Sequence, residues 1–143
     1  MKIRGIRLEN VRSHTQNLIT FSDGFNCLVG GVGAGKSSIL YAIDFVLFGE
    51  PVGKSYNYLL REGADTSRIT LKFLQDGTEY TIQRALKREN NRISQDMNQL
   101  KLFKEDKLIA ETKGEAVVEQ LRSVTGIDRE IFREIIWVQQ ERL

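Results

Sequence analysis

Gly30, Gly35, Lys36 and Ser37 follow the spacing G-x-x-x-x-G-K-[ST] within Gly30-Gly31-Val32-Gly33-Ala34-Gly35-Lys36-Ser37-Ser38. Glycines let consecutive backbone N–H groups turn inward around a phosphate, and a helix opening at Gly35 adds its positive dipole end. Lys36 is then placed to reach the outer phosphates, and the Ser37 hydroxyl to ligate a magnesium ion that bridges them. The chemistry implied is capture of a nucleoside triphosphate with magnesium.

Such a cradle works only between a strand and a helix, and the flanks supply both. Phe25-Asn26-Cys27-Leu28-Val29, bounded by Gly24, reads as a short buried strand. Ile39, Leu40, Ile43, Val46 and Leu47 recur at helical spacing, which predicts a helix to about Phe48 stopped by Gly49 and Pro51. An ordinary glycine-rich turn would require neither flank. Asp44 reads as a residue on the helix surface, because it lies a helix away from where a magnesium-binding acid would end a strand.

Upstream, Lys2 to Glu9 puts Ile6 and Leu8 on one face and Arg7 and Glu9 on the other, the pattern of a half-exposed strand. Asn17 to Phe21 offers a second strand, which Ser22-Asp23-Gly24 turns toward the third. Between the first two lies the polar turn Asn10-Val11-Arg12-Ser13-His14, whose Arg12 could project toward bound phosphates or be solvated.

Downstream, a polar connection over 50–67 leads to Ile69–Phe73 and Tyr80–Arg84, joined through Asp76-Gly77 in a strong hairpin signal. Lys87–Arg92 reads as an exposed turn, and further strands are expected over 97–104 and 107–111. Thr112 and Glu115 have capping-box spacing before a helix marked by Val117, Val118, Leu121 and Val124 and closed at Gly126. Asp128 can cap a short helix to about Glu134. Ile135–Val138 then reads as a strand running into the polar residues 139–143.

The 143 residues suffice for one domain with a real core, and no repeat or low-complexity linker divides residues 1–143. No apolar run of membrane-spanning length and no basic-then-apolar leader is present, so a cytoplasmic protein with no membrane partner is expected. Cys27 is the single cysteine and His14 the single histidine, which excludes an internal disulfide and a histidine metal cluster. A net charge of +2 with 28% charged residues does not by itself announce nucleic acid.

A complete nucleotide hydrolase also needs a second acid near the magnesium and a group that positions water. No four-residue apolar run followed by Asp-Glu occurs, and no Asn-Lys-x-Asp stretch for guanine. The chain is therefore expected to be half of a catalytic unit, completed from outside it.

Asn10 to His14, Gly30 to Ser38 and Trp137-Val138-Gln139-Gln140, in that order and spacing, resemble the SMC-like branch of the ABC ATPases. Within it, they are most similar to the amino-terminal ATPase lobe of archaeal ATPases that work with a nuclease on DNA double-strand breaks. The resemblance covers essentially the whole chain. It implies an α/β P-loop fold, an ABC-type half lobe with mixed and antiparallel sheet around the Walker A helix.

The resemblance also implies ATP and Mg2+ as cofactors. Val32, Gly33, Ala34, Gly35, Lys36, Ser37 and Ser38 would line the phosphates, with Lys36 on the β and γ oxygens and Ser37 on the metal. Arg12 would approach the phosphates, and Gln140 would be the Q-loop glutamine, touching metal and attacking water. Arg61-Glu62-Gly63 resembles the family's stretch near the adenine. Val32 departs from the family's usual Asn, losing a side-chain amide where backbone donors dominate.

The implied partners are a carboxy-terminal lobe carrying the signature motif and Walker B acid, reached through a coiled coil with a zinc hook, and a second ATPase head in an ATP-dependent homodimer. A repair nuclease and double-stranded DNA complete the set, in a nucleoid-associated protein. DNA would be held through its backbone, with Lys87, Arg88, Arg92, Lys101 and Lys104 as candidate contacts. Two alternatives keep the nucleotide. One is a clamp that uses ATP as assembly glue with little turnover; the other is a different ABC-type process, such as a recombination mediator, an SMC protein or a transporter ATPase.

Overall fold

The computed structural model describes residues 1–21, 35–51, 54–130 and 132, apart from the side chains of residues 35–37. The expected strand over 25–29, residues 30–34 of the glycine loop, the closing strand over 135–138, Gln139 and Gln140 lie outside the described residues.

Period-two alternation near the start and at the middle of the chain becomes strands that share one buried face. β1 (Lys2–Val11) buries Ile3, Ile6 and Leu8, and β3 (Thr66–Gln75) buries Ile69, Leu71 and Phe73. Register sets Ile3 opposite Phe73, Ile6 opposite Leu71 and Leu8 opposite Ile69, so these side chains form continuous rows across the sheet. β2 (His14–Thr20) flanks β1, and β4 (Thr78–Glu89) pairs with the whole length of β3.

The far edge of β4 is shared. β6 (Lys101–Lys104) pairs with Tyr80–Gln83 and β5 (Arg92–Gln95) with Leu86–Glu89, while a 3-10 turn over Met97–Gln99 separates the two. β7 (Lys107–Glu111) extends the sheet beyond β6. The order is β2-β1-β3-β4-β6-β7, with every pairing among the described residues antiparallel.

Helix α1 (Gly35–Phe48) lies on the buried face and is apolar almost all round, the composition of a helix enclosed rather than half exposed. Its Asp44 is accordingly 0% exposed and forms an ion pair with Arg129 at 3.8 Å, so it is not on the helix surface. Helix α2 (Gly114–Thr125) buries only Val117 and Leu121 and ends as expected at Gly126, whose φ of 72° lets its N–H reach the Arg122 carbonyl at 2.8 Å. No helix among the described residues is long and apolar enough to cross a membrane.

Three local expectations change. Thr112 sits at φ 58° and donates to the Glu111 carbonyl, leaving Lys113 as the N-cap with no side-chain bond, so the capping box does not form. The turn expected over Lys87–Arg92 is only Asn90-Asn91, at φ 52° and 63°, because β4 runs on to Glu89. The strand expected over 97–104 begins at Lys101, after the 3-10 turn that Asp96 caps through the Asn98 N–H.

Candidate functional site

Two chain segments meet beside the first turns of α1. The β1–β2 connection closes with Val11 opposite His14, and it carries Asn10 at φ 57° and Arg12 at φ 51°. Non-glycine residues in this region cost on the order of 1 kcal/mol or more each, and persist where the surroundings over-determine them. Here the surroundings do.

Leu60 bridges Val11, the Arg12 N–H donates to the Leu59 carbonyl at 2.9 Å, and the Arg61 N–H donates to the Asn10 carbonyl at 3.0 Å. Two side chains complete the lock: Asn10 Nδ2 donates to the Thr66 carbonyl at 3.1 Å, and Arg61 Nη1 to the Arg12 carbonyl at 3.1 Å. The strained turn is held from both sides.

From that turn the Arg12 guanidinium reaches α1, where its carbon lies 5.2 Å from the centroid of the Tyr41 ring. Tyr41 in turn meets Tyr58 edge-on, with ring centroids 5.4 Å apart. The sequence-derived candidates Arg12 and Arg61 are thus brought together, and Arg12 lies against the helix that Gly35, Lys36 and Ser37 open. Ser38 is buried, whereas Glu62 and Gly63 are exposed, with Gly63 at φ 84°. Val32, Gly33, Ala34 and Gln140 lie outside the described residues.

The other end of α1 is pinned by two arginines that sequence reasoning did not single out. Arg84 of β4 points inward, is 2% exposed, and donates through Nε to the Val46 carbonyl at 2.8 Å and through Nη2 to the Leu47 carbonyl at 3.4 Å. Its Nη1 donates to Gln95 Oε1 at 3.1 Å, while Gln95 Nε2 and the Tyr56 hydroxyl each donate to the Gly49 carbonyl at 2.6 Å. The helix C-terminus, the negative end of its dipole, meets a cation that also satisfies its last carbonyls. Burial pushes the Arg84 pKa down to about 10, which leaves it charged at neutral pH.

Arg129 closes the same end from outside. Its Nη2 donates to the Pro51 carbonyl at 2.8 Å and the Glu50 carbonyl at 3.2 Å, its Nη1 pairs with the Glu50 carboxylate, and Asp44 lies across from it. The alternation Tyr80, Ile82, Arg84 did signal an inward arginine. Its acceptors, more than thirty residues earlier, were not visible in that pattern.

Of the candidate DNA contacts, Lys87 pairs with Glu89 at 3.6 Å, and Arg88 Nε donates to the Ala64 carbonyl at 3.2 Å. Arg92 and Lys104 are exposed and Lys101 is half-buried. They occupy β4, β5 and β6, and Arg88 is bonded to Ala64 and Asp65, in the segment that follows Arg61.

Residues 5–143 match the AAA domain family. The DNA double-strand break repair Rad50 ATPase of Methanopyrus kandleri is 33% identical over 96% of this chain and 16% of its own length. The protein of the same name from Methanocaldococcus jannaschii is 31% identical over 98% of this chain and 13% of its own. The chain thus spans about a sixth or less of these relatives.

A solved structure of the recombination mediator protein RecF with ATP superposes with a TM-score of 0.53, at 18% identity, over 78% of this chain and 28% of that one. This likeness concerns the fold: an α/β P-loop ATPase head with an antiparallel sheet. The chain belongs to the AAA domain family, in the part of it that resembles the amino-terminal ATPase lobe of archaeal double-strand break repair ATPases.

Proposed function

We propose that residues 1–143 are the ATP-binding amino-terminal lobe of an ATPase head that acts in DNA double-strand break repair. The observation that carries this reading is the placement of Arg12 against Tyr41 of α1, the helix opened by Gly35-Lys36-Ser37, from a turn that Arg61 holds through the Arg12 carbonyl. A guanidinium beside a helix suits an anionic ligand, because the N–H groups of a helix's first turn have no partner within the helix.

In this reading the backbone of Val32 to Ser38 cradles the phosphates, Lys36 holds the outer oxygens, and Ser37 holds Mg2+. Arg12 leaves the Tyr41 ring for a phosphate, and Arg61-Glu62-Gly63 borders the purine. Gln140 connects the closing segment to metal and water. Bound ATP supplies the phosphates that a second head would grip, so that nucleotide favours the engaged state by touching both halves.

Hydrolysis then depends on a carboxy-terminal lobe that brings the Walker B acid and the signature motif, and engagement controls access of a nuclease to double-stranded DNA. The relatives' name as repair ATPases supports this assignment. The departure at Val32 favours one further reading, a clamp assembled by ATP with little turnover. Mixing the chain with its carboxy-terminal lobe separates the two, since ATP-dependent dimers without phosphate release would select the clamp.

The central test is Lys36→Ala. ATP titrated calorimetrically into the chain should bind with micromolar-range affinity, on the order of 8 kcal/mol, and the variant should lose that binding with its circular dichroism unchanged. Equal affinity in both proteins would overturn the assignment.

A further inference from the structure

Tyr56 belongs to two hydrogen-bonded systems at once. Its hydroxyl donates to the Gly49 carbonyl at the end of α1 at 2.6 Å and accepts from Gln95 Nε2 at 3.0 Å. Its own carbonyl accepts from the Leu59 N–H at 3.0 Å and the Leu60 N–H at 3.4 Å. Those two residues hold the Arg12 turn, Leu59 through its carbonyl and Leu60 through its bridge to Val11. One residue therefore joins the C-terminus of α1 to the segment that fixes Arg12.

A tyrosine hydroxyl on a helix carbonyl is ordinarily a cap and no more. The Gly49 carbonyl already has a donor in Gln95 Nε2 at 2.6 Å, so capping does not require Tyr56. What the hydroxyl adds is a stop along the helix axis. Two edge-on aromatic pairs seat the segment on α1, Tyr58 on Tyr41 and Tyr56 on Phe45, each with ring centroids 5.4 Å apart and with Tyr41 and Phe45 on one helix face. Aromatic pairs persist over centroid separations of about 4.5–7 Å, so they hold the segment against α1 while leaving it room to slide. A slide of one residue along a helix is about 1.5 Å, which a ring pair survives and a hydrogen bond does not.

The geometry points to Tyr56 as a positioning residue for nucleotide binding: its hydroxyl sets the register of residues 56–61 along α1, and with it the place from which Arg12 reaches toward bound phosphates. The inference rests on the reading of Arg12 as a phosphate contact, and Tyr56 acts through Arg12 rather than on the ligand.

Tyr56→Phe keeps the ring beside Phe45 and removes only the hydroxyl, with Gln95 left on the Gly49 carbonyl. Two measurements on the whole chain read the change. Without nucleotide, the NMR signal of the Arg12 Nε–H feels the ring current of Tyr41, whose centroid lies 5.2 Å from the guanidinium carbon, and it should move in Tyr56→Phe. An unmoved signal would overturn the proposal whatever ATP does. In calorimetric titrations Tyr56→Phe should weaken ATP binding by about three-fold, and should weaken it no further in an Arg12→Ala background. Unchanged affinity in the wild-type background would overturn the proposal, and so would equal weakening in both, which would mean that the hydroxyl serves the fold at large. ATP binding that survives Lys36→Ala would instead refute the nucleotide reading, with the register still decided by the Arg12 signal.

Discussion

The guanidinium of Arg84 occupies the space that a side chain on Gly49 would need: a β-carbon there would lie 2.5 Å from Nη1 and 2.8 Å from Cζ. Gly49 also sits at φ 77°, where side-chain-bearing residues are strained. The end of α1 and the middle of β4 are therefore fitted to one another at this single contact. Gly49→Ala should destabilise the chain by about 2–4 kcal/mol, combining backbone strain with displacement of a buried cation. Urea unfolding measures it, and a loss under about 0.5 kcal/mol, the level of ordinary surface changes, would show that Arg84 can move aside freely.

Arg84 itself is irreplaceable by charge alone. Its planar fork serves the Val46 carbonyl, the Leu47 carbonyl and Gln95 together, and a lysine ammonium on a flexible stem cannot span all three. Arg84→Lys should cost about 2–3 kcal/mol, because at least one buried carbonyl and the Gln95 oxygen lose their donor. Urea midpoints at neutral pH provide the comparison. Wild-type stability in the variant would mean that the fork contributes only its charge.

The Glu9–Arg68 pair predicts a small acid-side dependence. These residues are cross-strand partners on β1 and β3, with Arg68 Nε donating to Glu9 Oε2 at 2.5 Å and Nη2 to Oε1 at 3.2 Å. The hydrogen bond from Arg68 holds the Glu9 carboxyl below the usual value of 4.5. A carboxyl lowered in the folded state contributes stability above its unfolded pKa and loses it as pH falls through the folded one. Both side chains remain partly exposed, so the contribution is under about 1 kcal/mol. The stability gap between the chain and Arg68→Ala should be flat above about pH 6 and shrink below the usual carboxylate range. A gap constant through acid pH would assign it to packing of the Arg68 stem.

Particular residues show why some of this was legible in sequence. Asp76-Gly77 adopts φ 53° and 78°, the turn that an Asp-Gly pair between alternating runs demands, and Gly49 and Gly126 end helices where positive φ is required. Glu105-Asp106 makes an equally tight turn, at φ 49° and 68°, without a glycine, and strand pairing on both sides holds it there rather than local preference. Asp44 reads from sequence as a surface residue because it lies a helix past the glycine loop, and the partner that lets it be buried, Arg129, is remote in the chain. The same separation hid the acceptors of Arg84. At the candidate site, the types of Arg12 and Arg61 were readable, whereas the backbone bonds that join residues 10–12 to 59–61 belong to tertiary structure alone.

Those bonds set up the most discriminating measurement. Arg61 Nη1 donates to the carbonyl of Arg12, not to a distant acceptor, so Arg61 helps hold the strained turn from which Arg12 reaches toward α1. If Arg12 contacts a phosphate, Arg12→Ala should weaken ATP binding by about ten-fold, the scale of one charge-assisted hydrogen bond. Arg61→Ala should weaken it less where its only effect is on the turn. Once Arg12 has been truncated, the state of the turn no longer matters to the ligand. The double variant should then bind ATP about as well as Arg12→Ala alone, with a coupling energy of about 0.5–1 kcal/mol between the two positions. Strict additivity would instead mean that each guanidinium meets the nucleotide independently, placing Arg61 in direct contact with it.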